Sequence, residues 1–124
     1  VDSPRKVLVL EDSALQAKMY RPVFARYPGC TLVYAGNGFE GLEKLALEPG
    51  IDLIILDINM PKMDGITFLG AMRQSGFGRI PVIVISTEGK ERDIVTALKK
   101  GARAYLKKPW QERDMHQVIE KLTP

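Results

Sequence analysis

The chain has 124 residues, 45% of them hydrophobic and 27% charged, which excludes a disordered polymer and suits one domain able to bury its own core. The single cysteine, Cys30, excludes an internal disulfide and has no partner spaced for zinc, the apolar runs are far too short for a membrane helix, and the opening VDSPRK is no signal peptide, so a soluble cytoplasmic domain with no membrane insertion is expected. A net charge of +3 is too small to argue for nucleic acid, but residues 81–124 carry nine basic against six acidic side chains while residues 1–80 carry nine of each; that tail is either a solvated helical surface or a face that meets an acidic partner.

In chain order, Lys6 to Leu10 (KVLVL) reads as the first strand, and Leu15, Met19 and Val23 space the buried face of a first helix. Pro22 falls inside that pattern and predicts a kink near Met19, because its ring removes a helical hydrogen bond. Thr31 to Ala35 (TLVYA) is the second strand, followed by a helix marked by Phe39, Leu42, Leu45 and Ala46. Asp52 to Leu56 (DLIIL) is the third strand, and Ile66, Leu69 and Met72 mark the next helix. Pro81 to Ser86 (PVIVIS) precedes a helix with Ile94, Val95 and Leu98, and Arg103 to Leu106 (RAYL) precedes the last, with Met115, Val118, Ile119 and Leu122. Ser13 and Asp64 are capping residues, and glycines at 36, 50, 76, 78 and 101 fall near element ends. Strands one, three and four show little polar alternation, as strands covered on both faces do. Five strand–helix units joined by right-handed crossovers predict a single α/β domain, residues 1–124, with a doubly wound parallel sheet.

Ligands of such sheets bind beyond the carboxyl ends of the strands. Glu11 and Asp12 follow strand one, Asp57 closes strand three, Ser86 ends strand four and Lys108 lies just past strand five. Four segments thus bring three carboxylates, a hydroxyl and an ammonium to one edge. Their residual negative charge calls for a hard divalent cation, and oxygen-only ligands on short loops suit Mg²⁺. The plainer alternative has Asp12 capping the first helix, Glu11 in solvent and Asp57 paired with Lys108.

The combination of Glu11-Asp12, DINMPKMDG around Asp57, STE from Ser86 and YLKKP ending at Pro109 resembles the receiver domain of bacterial response regulators. It is most similar to the single-domain chemotaxis type. The resemblance runs from about Arg5 to Leu122 and implies a flavodoxin-like sheet of order 2-1-3-4-5 with five helices. It further implies that Asp57 is the phosphoacceptor, taking a phosphoryl group from a histidine kinase or phosphotransfer domain. Glu11, Asp12, Asp57 and the backbone carbonyl of Asn59 would hold Mg²⁺. Lys108 would neutralise a phosphoryl oxygen, Ser86 would bond another, and the Lys108–Pro109 bond would be cis. Ser86 and Tyr105 match the family's switch pair, through which the face of the fourth helix, fifth strand and fifth helix changes its affinity for a downstream target. Asn59 and Glu88 match positions that tune loss of the phosphoryl group, and Thr87 is bulkier than the small residue usual there. Pro61 and Gly65 shape the loop after strand three.

Such a protein is a phosphoacceptor signalling protein, not a turnover enzyme, and no direct contact with nucleic acid is expected. Trp110 is expected to pack the last helix, where proximity to Tyr105 would make its fluorescence an activation reporter. Two other classes share part of the pattern. A flavodoxin-type FMN protein needs a phosphate loop after strand one, where Glu11 and Asp12 would repel the ligand. An aspartyl-phosphate hydrolase of the haloacid dehalogenase type needs a second Asp two residues after the nucleophile, where this chain has Asn59. Because the sequence stops two residues beyond Leu122, a stand-alone receiver is expected ahead of one trimmed from a larger regulator with an output domain.

Overall fold

Runs of valine, leucine and isoleucine with no polar interruption are stable only when both faces of the strand are covered. The computed structural model, which describes residues 3–87 and 91–123, covers them with helices on each side. Five parallel strands, β1 (Lys6–Leu10), β2 (Thr31–Ala35), β3 (Leu53–Asp57), β4 (Val82–Ser86) and β5 (Ala104–Lys107), form one sheet in the order β2-β1-β3-β4-β5. The strand order therefore reverses at β1, between β2 and β3.

Alternation along the strands splits the core in two. Leu8, Leu10, Ile54, Leu56, Val82 and Val84 pack with Phe68, Leu69 and Met72 of α4 (Gly65–Gln74), Leu45 of α3 (Gly38–Leu47) and Ala97 of α5 (Glu91–Lys99). Val7, Val9, Leu53, Ile55, Ile83 and Ile85 pack on the other face with Tyr20, Val23 and Phe24 of α2 (Tyr20–Phe24) and Met115 and Ile119 of α6 (Glu112–Leu122). Each large side chain so buried contributes roughly 1.5–3 kcal/mol.

The first helical pattern is divided, as Pro22 requires, into α1 (Ala14–Lys18) and α2, with the break at Met19. Pro22 has no N–H for the Lys18 carbonyl and its ring crowds that group, while Met19 closes the turn with a shorter bond to Gln16 O at 3.1 Å. The helices read as fourth and fifth in the sequence are therefore α5 and α6.

Several expected faces are corrected. Leu15 and Met19 are 76% and 54% exposed; Val23 is buried as expected, and the stripe it joins runs through Tyr20, Phe24 and Tyr27. Phe39 and Ala46 of α3 are exposed, because that helix approaches the sheet through glycine. A Cβ on Gly41 would stand 2.5 Å from Leu10 Cδ2, and one on Gly38 would stand 2.6 Å from Met63 Sδ. Val95 and Leu98 of α5 are likewise exposed, and Ile94 and Ala97 are the buried pair. The third strand begins one residue later than read, at Leu53, since the Asp52 carboxylate accepts the backbone N–H groups of Arg5 and Lys6 at 2.9 and 3.3 Å.

Candidate functional site at the carboxyl edge of the sheet

Asp57 is the last residue of β3 and is only 4% exposed. An ionised carboxylate at the end of a buried apolar strand is costly unless it is paired. Two contacts meet that need. Lys108 Nζ donates to Asp57 Oδ2 at 2.9 Å, and the backbone N–H of Asn59 donates to Oδ1 at 2.9 Å. Lys108 reaches the site because β5 ends one residue earlier and its own backbone N–H donates to Ser86 O at 2.7 Å. The Lys108–Pro109 bond is cis.

Glu11 follows β1 and is also buried. Its Oε1 accepts from Lys108 Nζ at 3.2 Å and its Oε2 from the Ser13 N–H at 3.2 Å. Burial raises the Glu11 pKa first, with the Asp57 charge adding to the rise, against the opposing pull of the Ser13 N–H and Lys108. For Lys108, burial opposes the charge, but the hydrogen bond and field of Asp57, then those of Glu11, outweigh it and hold the ammonium above the usual lysine range. Asp12 is exposed beside them. Carboxylate oxygens of Glu11, Asp12 and Asp57 lie within 4.8 Å of one another. An all-oxygen donor set with one member open to solvent fits Mg²⁺ with waters completing its octahedron.

The plainer alternative is realised in one of its three parts. Asp57 does pair with Lys108, but Ser13, not Asp12, caps α1, and Glu11 is buried. Ser86 is fully buried, and among the described residues its Oγ is the buried side-chain polar atom with no hydrogen-bond partner. Thr87 is exposed and lines an open cleft of about 390 Å³ with Glu11, Gln16, Met19, Tyr20, Lys108, Pro109 and Trp110. Tyr105 is 44% exposed on β5. Trp110 packs, as expected, against the core cluster of the last helix, and its ring partner there is Tyr20, 5.1 Å between centroids. Asn59 is exposed, and Glu88 lies outside the described residues. Pro61 is exposed in the loop after β3, while Gly65 N–H closes that loop onto Ile58 O at 3.1 Å and Asp64 caps α4 through Thr67 N at 2.8 Å.

One residue at the site was missed in the sequence. Gln16 Oε1 accepts from Lys108 Nζ at 2.6 Å. A polar residue three positions after a Ser cap was the available signal, since that spacing turns it toward the strand ends.

A strand-end aspartate, two acidic neighbours and a lysine thus gather at the edge where doubly wound sheets bind their ligands. The chain belongs to the response regulator receiver domain family of two-component systems, whose model matches residues 7–120. It is 33% identical to the chemotaxis protein CheY1 of Helicobacter pylori over 93% of this chain and 94% of that protein. It is 36% identical to the nitrate/nitrite response regulator protein NarL of Escherichia coli over 94% of this chain and 53% of that protein. Among solved structures, a response regulator receiver domain protein from Clostridium thermocellum matches with a TM-score of 0.84 and 26% identity over 95% of this chain and 93% of its own. The FMN and haloacid dehalogenase readings give way to this membership. Among the described residues, no helix is long and apolar enough to cross a membrane.

Proposed function

We propose that residues 1–124 act as one cytoplasmic receiver unit that accepts a phosphoryl group on Asp57 from a phosphohistidine of a histidine kinase or phosphotransfer domain. The observation that carries this is the Lys108 ammonium bridging Asp57 and Glu11, with Asp12 alongside. A carboxylate oxygen of Asp57 attacks phosphorus, the P–N bond breaks, and its electron pair leaves with the imidazole. Phosphoryl transfer needs mainly positioning and charge neutralisation. Bound Mg²⁺, held by Glu11, Asp12, Asp57 and the Asn59 carbonyl, would supply part of that neutralisation. Lys108 supplies the rest from the protein side, and the Asn59 N–H orients the carboxylate.

Ser86 and Tyr105 are proposed as the switch. The buried Ser86 hydroxyl has no partner among the described residues and gains one by bonding a phosphoryl oxygen. Tyr105 on β5 is exposed, as are Val95 and Leu98 on α5, and movement of Tyr105 then alters the α5–β5–α6 face. A downstream target responds only through different affinities for the two states. Asn59, Thr87 and Glu88 are proposed to set how quickly water removes the group, as an intrinsic property of a signalling protein.

The test is intact-mass analysis after incubation with Mg²⁺ and acetyl phosphate. One phosphoryl group should be gained by wild type, only with Mg²⁺, and not by Asp57→Asn. A folded wild type that gains nothing would remove the assignment.

A further inference from the structure

An ammonium has three protons to donate. Lys108 has three acceptors around it: Asp57 Oδ2 at 2.9 Å, Glu11 Oε1 at 3.2 Å and Gln16 Oε1 at 2.6 Å. The shortest of these contacts is to the neutral acceptor. Gln16 is exposed on α1, so packing does not hold its amide. A closed circuit of hydrogen bonds does. Glu11 Oε2 accepts the Ser13 N–H at 3.2 Å, and Ser13 Oγ accepts the Gln16 N–H at 3.2 Å. Gln16 Oε1 then accepts from Lys108, which donates back to Glu11 Oε1. The same carboxylate that faces the metal site thus sets the height of Gln16 over the lysine.

We propose that Gln16 is a positioning residue that holds Lys108 in the resting site and competes with the arriving phosphoryl group for its third proton. This rests on the assignment of Asp57 as phosphoacceptor. A phosphoryl oxygen can bond Lys108 only if one of the three present acceptors lets go. All three bonds share the charge of the ammonium, but Asp57 and Glu11 are buried carboxylates whose opposite charge adds an attraction that the neutral amide lacks. A carboxylate left behind in the interior also keeps its desolvation penalty. The Gln16 amide is already at the surface and returns to water at little cost, so it yields first. Until it does, each encounter with a phosphodonor meets a lysine with no free proton.

Two substitutions separate this role from simple support of the site. Gln16→Met keeps the length of the side chain and removes the acceptor. Gln16→Glu keeps the shape and replaces a neutral acceptor with a charged one. The initial rate of labelling by acetyl phosphate at saturating Mg²⁺, read as an intact-mass time course, should rise about threefold in the Met variant and fall by at least as much in the Glu variant. Mg²⁺ affinity by calorimetry should be unchanged in the Met variant, because Gln16 is not in the acidic donor set. A merely structural residue would slow labelling in both variants. A Met variant labelled no faster than wild type overturns the proposal. A wild type that takes no label overturns the Asp57 assignment beneath it.

Discussion

Lys108 Nζ and Asp57 Oδ2 meet at 2.9 Å across 51 residues of chain, and the same ammonium bonds Glu11 at 3.2 Å. One cation therefore holds two buried carboxylates. Removing it in Lys108→Ala leaves both charges unpaired where water reaches them poorly. Stability in metal-free buffer should fall by about 1–3 kcal/mol, and added Mg²⁺ should recover most of the loss because it binds the folded state. Urea denaturation with and without Mg²⁺ measures both. An unaltered midpoint without metal would show that the pair contributes nothing to stability.

Ser86 separates stability from function. Its hydroxyl is buried with no partner among the described residues, so Ser86→Ala removes an unsatisfied polar group. Stability should stay level or rise by up to about 1 kcal/mol. The phosphorylated state should nevertheless decay faster or accumulate less, since it loses a bond to the phosphoryl group. Thermal melts and the phosphorylated mass fraction over time give the two readouts, and a loss in both would mean that the hydroxyl has a resting partner.

Gly65 walls the loop that follows Asp57. A Cβ there would stand 2.9 Å from Ile58 Cα and 3.1 Å from Asp57 O, and backbone cannot rotate away as a side chain can. Gly65→Ala should cost about 1–3 kcal/mol and slow phosphoryl uptake through displacement of Asp57. Gly70, in the same helix, has nothing within 4 Å of its Cβ position. Gly70→Ala should instead stabilise by about 0.5–1 kcal/mol with uptake unchanged. Chemical denaturation and labelling rates of the two variants form the comparison.

Cys30 supplies a pH dependence. Burial first, then the nearby Asp52 charge, push its thiol up to about 11. The folded state thus keeps a proton that the unfolded chain releases earlier. Its contribution to stability is complete below the ordinary thiol range and is lost as pH rises toward 11. Wild type should lose more stability than Cys30→Ser over that interval. At pH 8, alkylation by iodoacetamide should be about a hundredfold slower in native protein than in urea. Equal rates would place the thiol in the ordinary range.

Much of this was legible residue by residue. KVLVL and TLVYA coincide with β1 and β2 to the residue, and Pro22 predicts the break between α1 and α2. The carboxyl-edge set of Glu11, Asp12, Asp57, Ser86 and Lys108 follows once strands are placed, because each residue adjoins a strand end. Helix faces were less legible. Spacing identifies residues that share a face without saying which face has a neighbour. Leu15, Met19 and Val23 form one periodic set and Tyr20, Phe24 and Tyr27 another, and only contact with β1, β3 and α6 selects the second together with Val23 from the first. Phe39 looked like a core residue until the close approach of α3 at Gly38 and Gly41 turned it outward.

Local order in the chain by itself determined the five strands and the helical segments between them, since each depends on neighbours a few residues apart, and the order of the short motifs along it determined the family. Tertiary structure alone decided that Lys108 bridges Glu11 and Asp57, that Gln16 takes the third place on the same ammonium 92 residues away, and that Ser86 is sealed in without a partner among the described residues. Hydrogen bonds act over about 3 Å, a distance set for groups so remote in sequence only when the sheet brings its strand ends together.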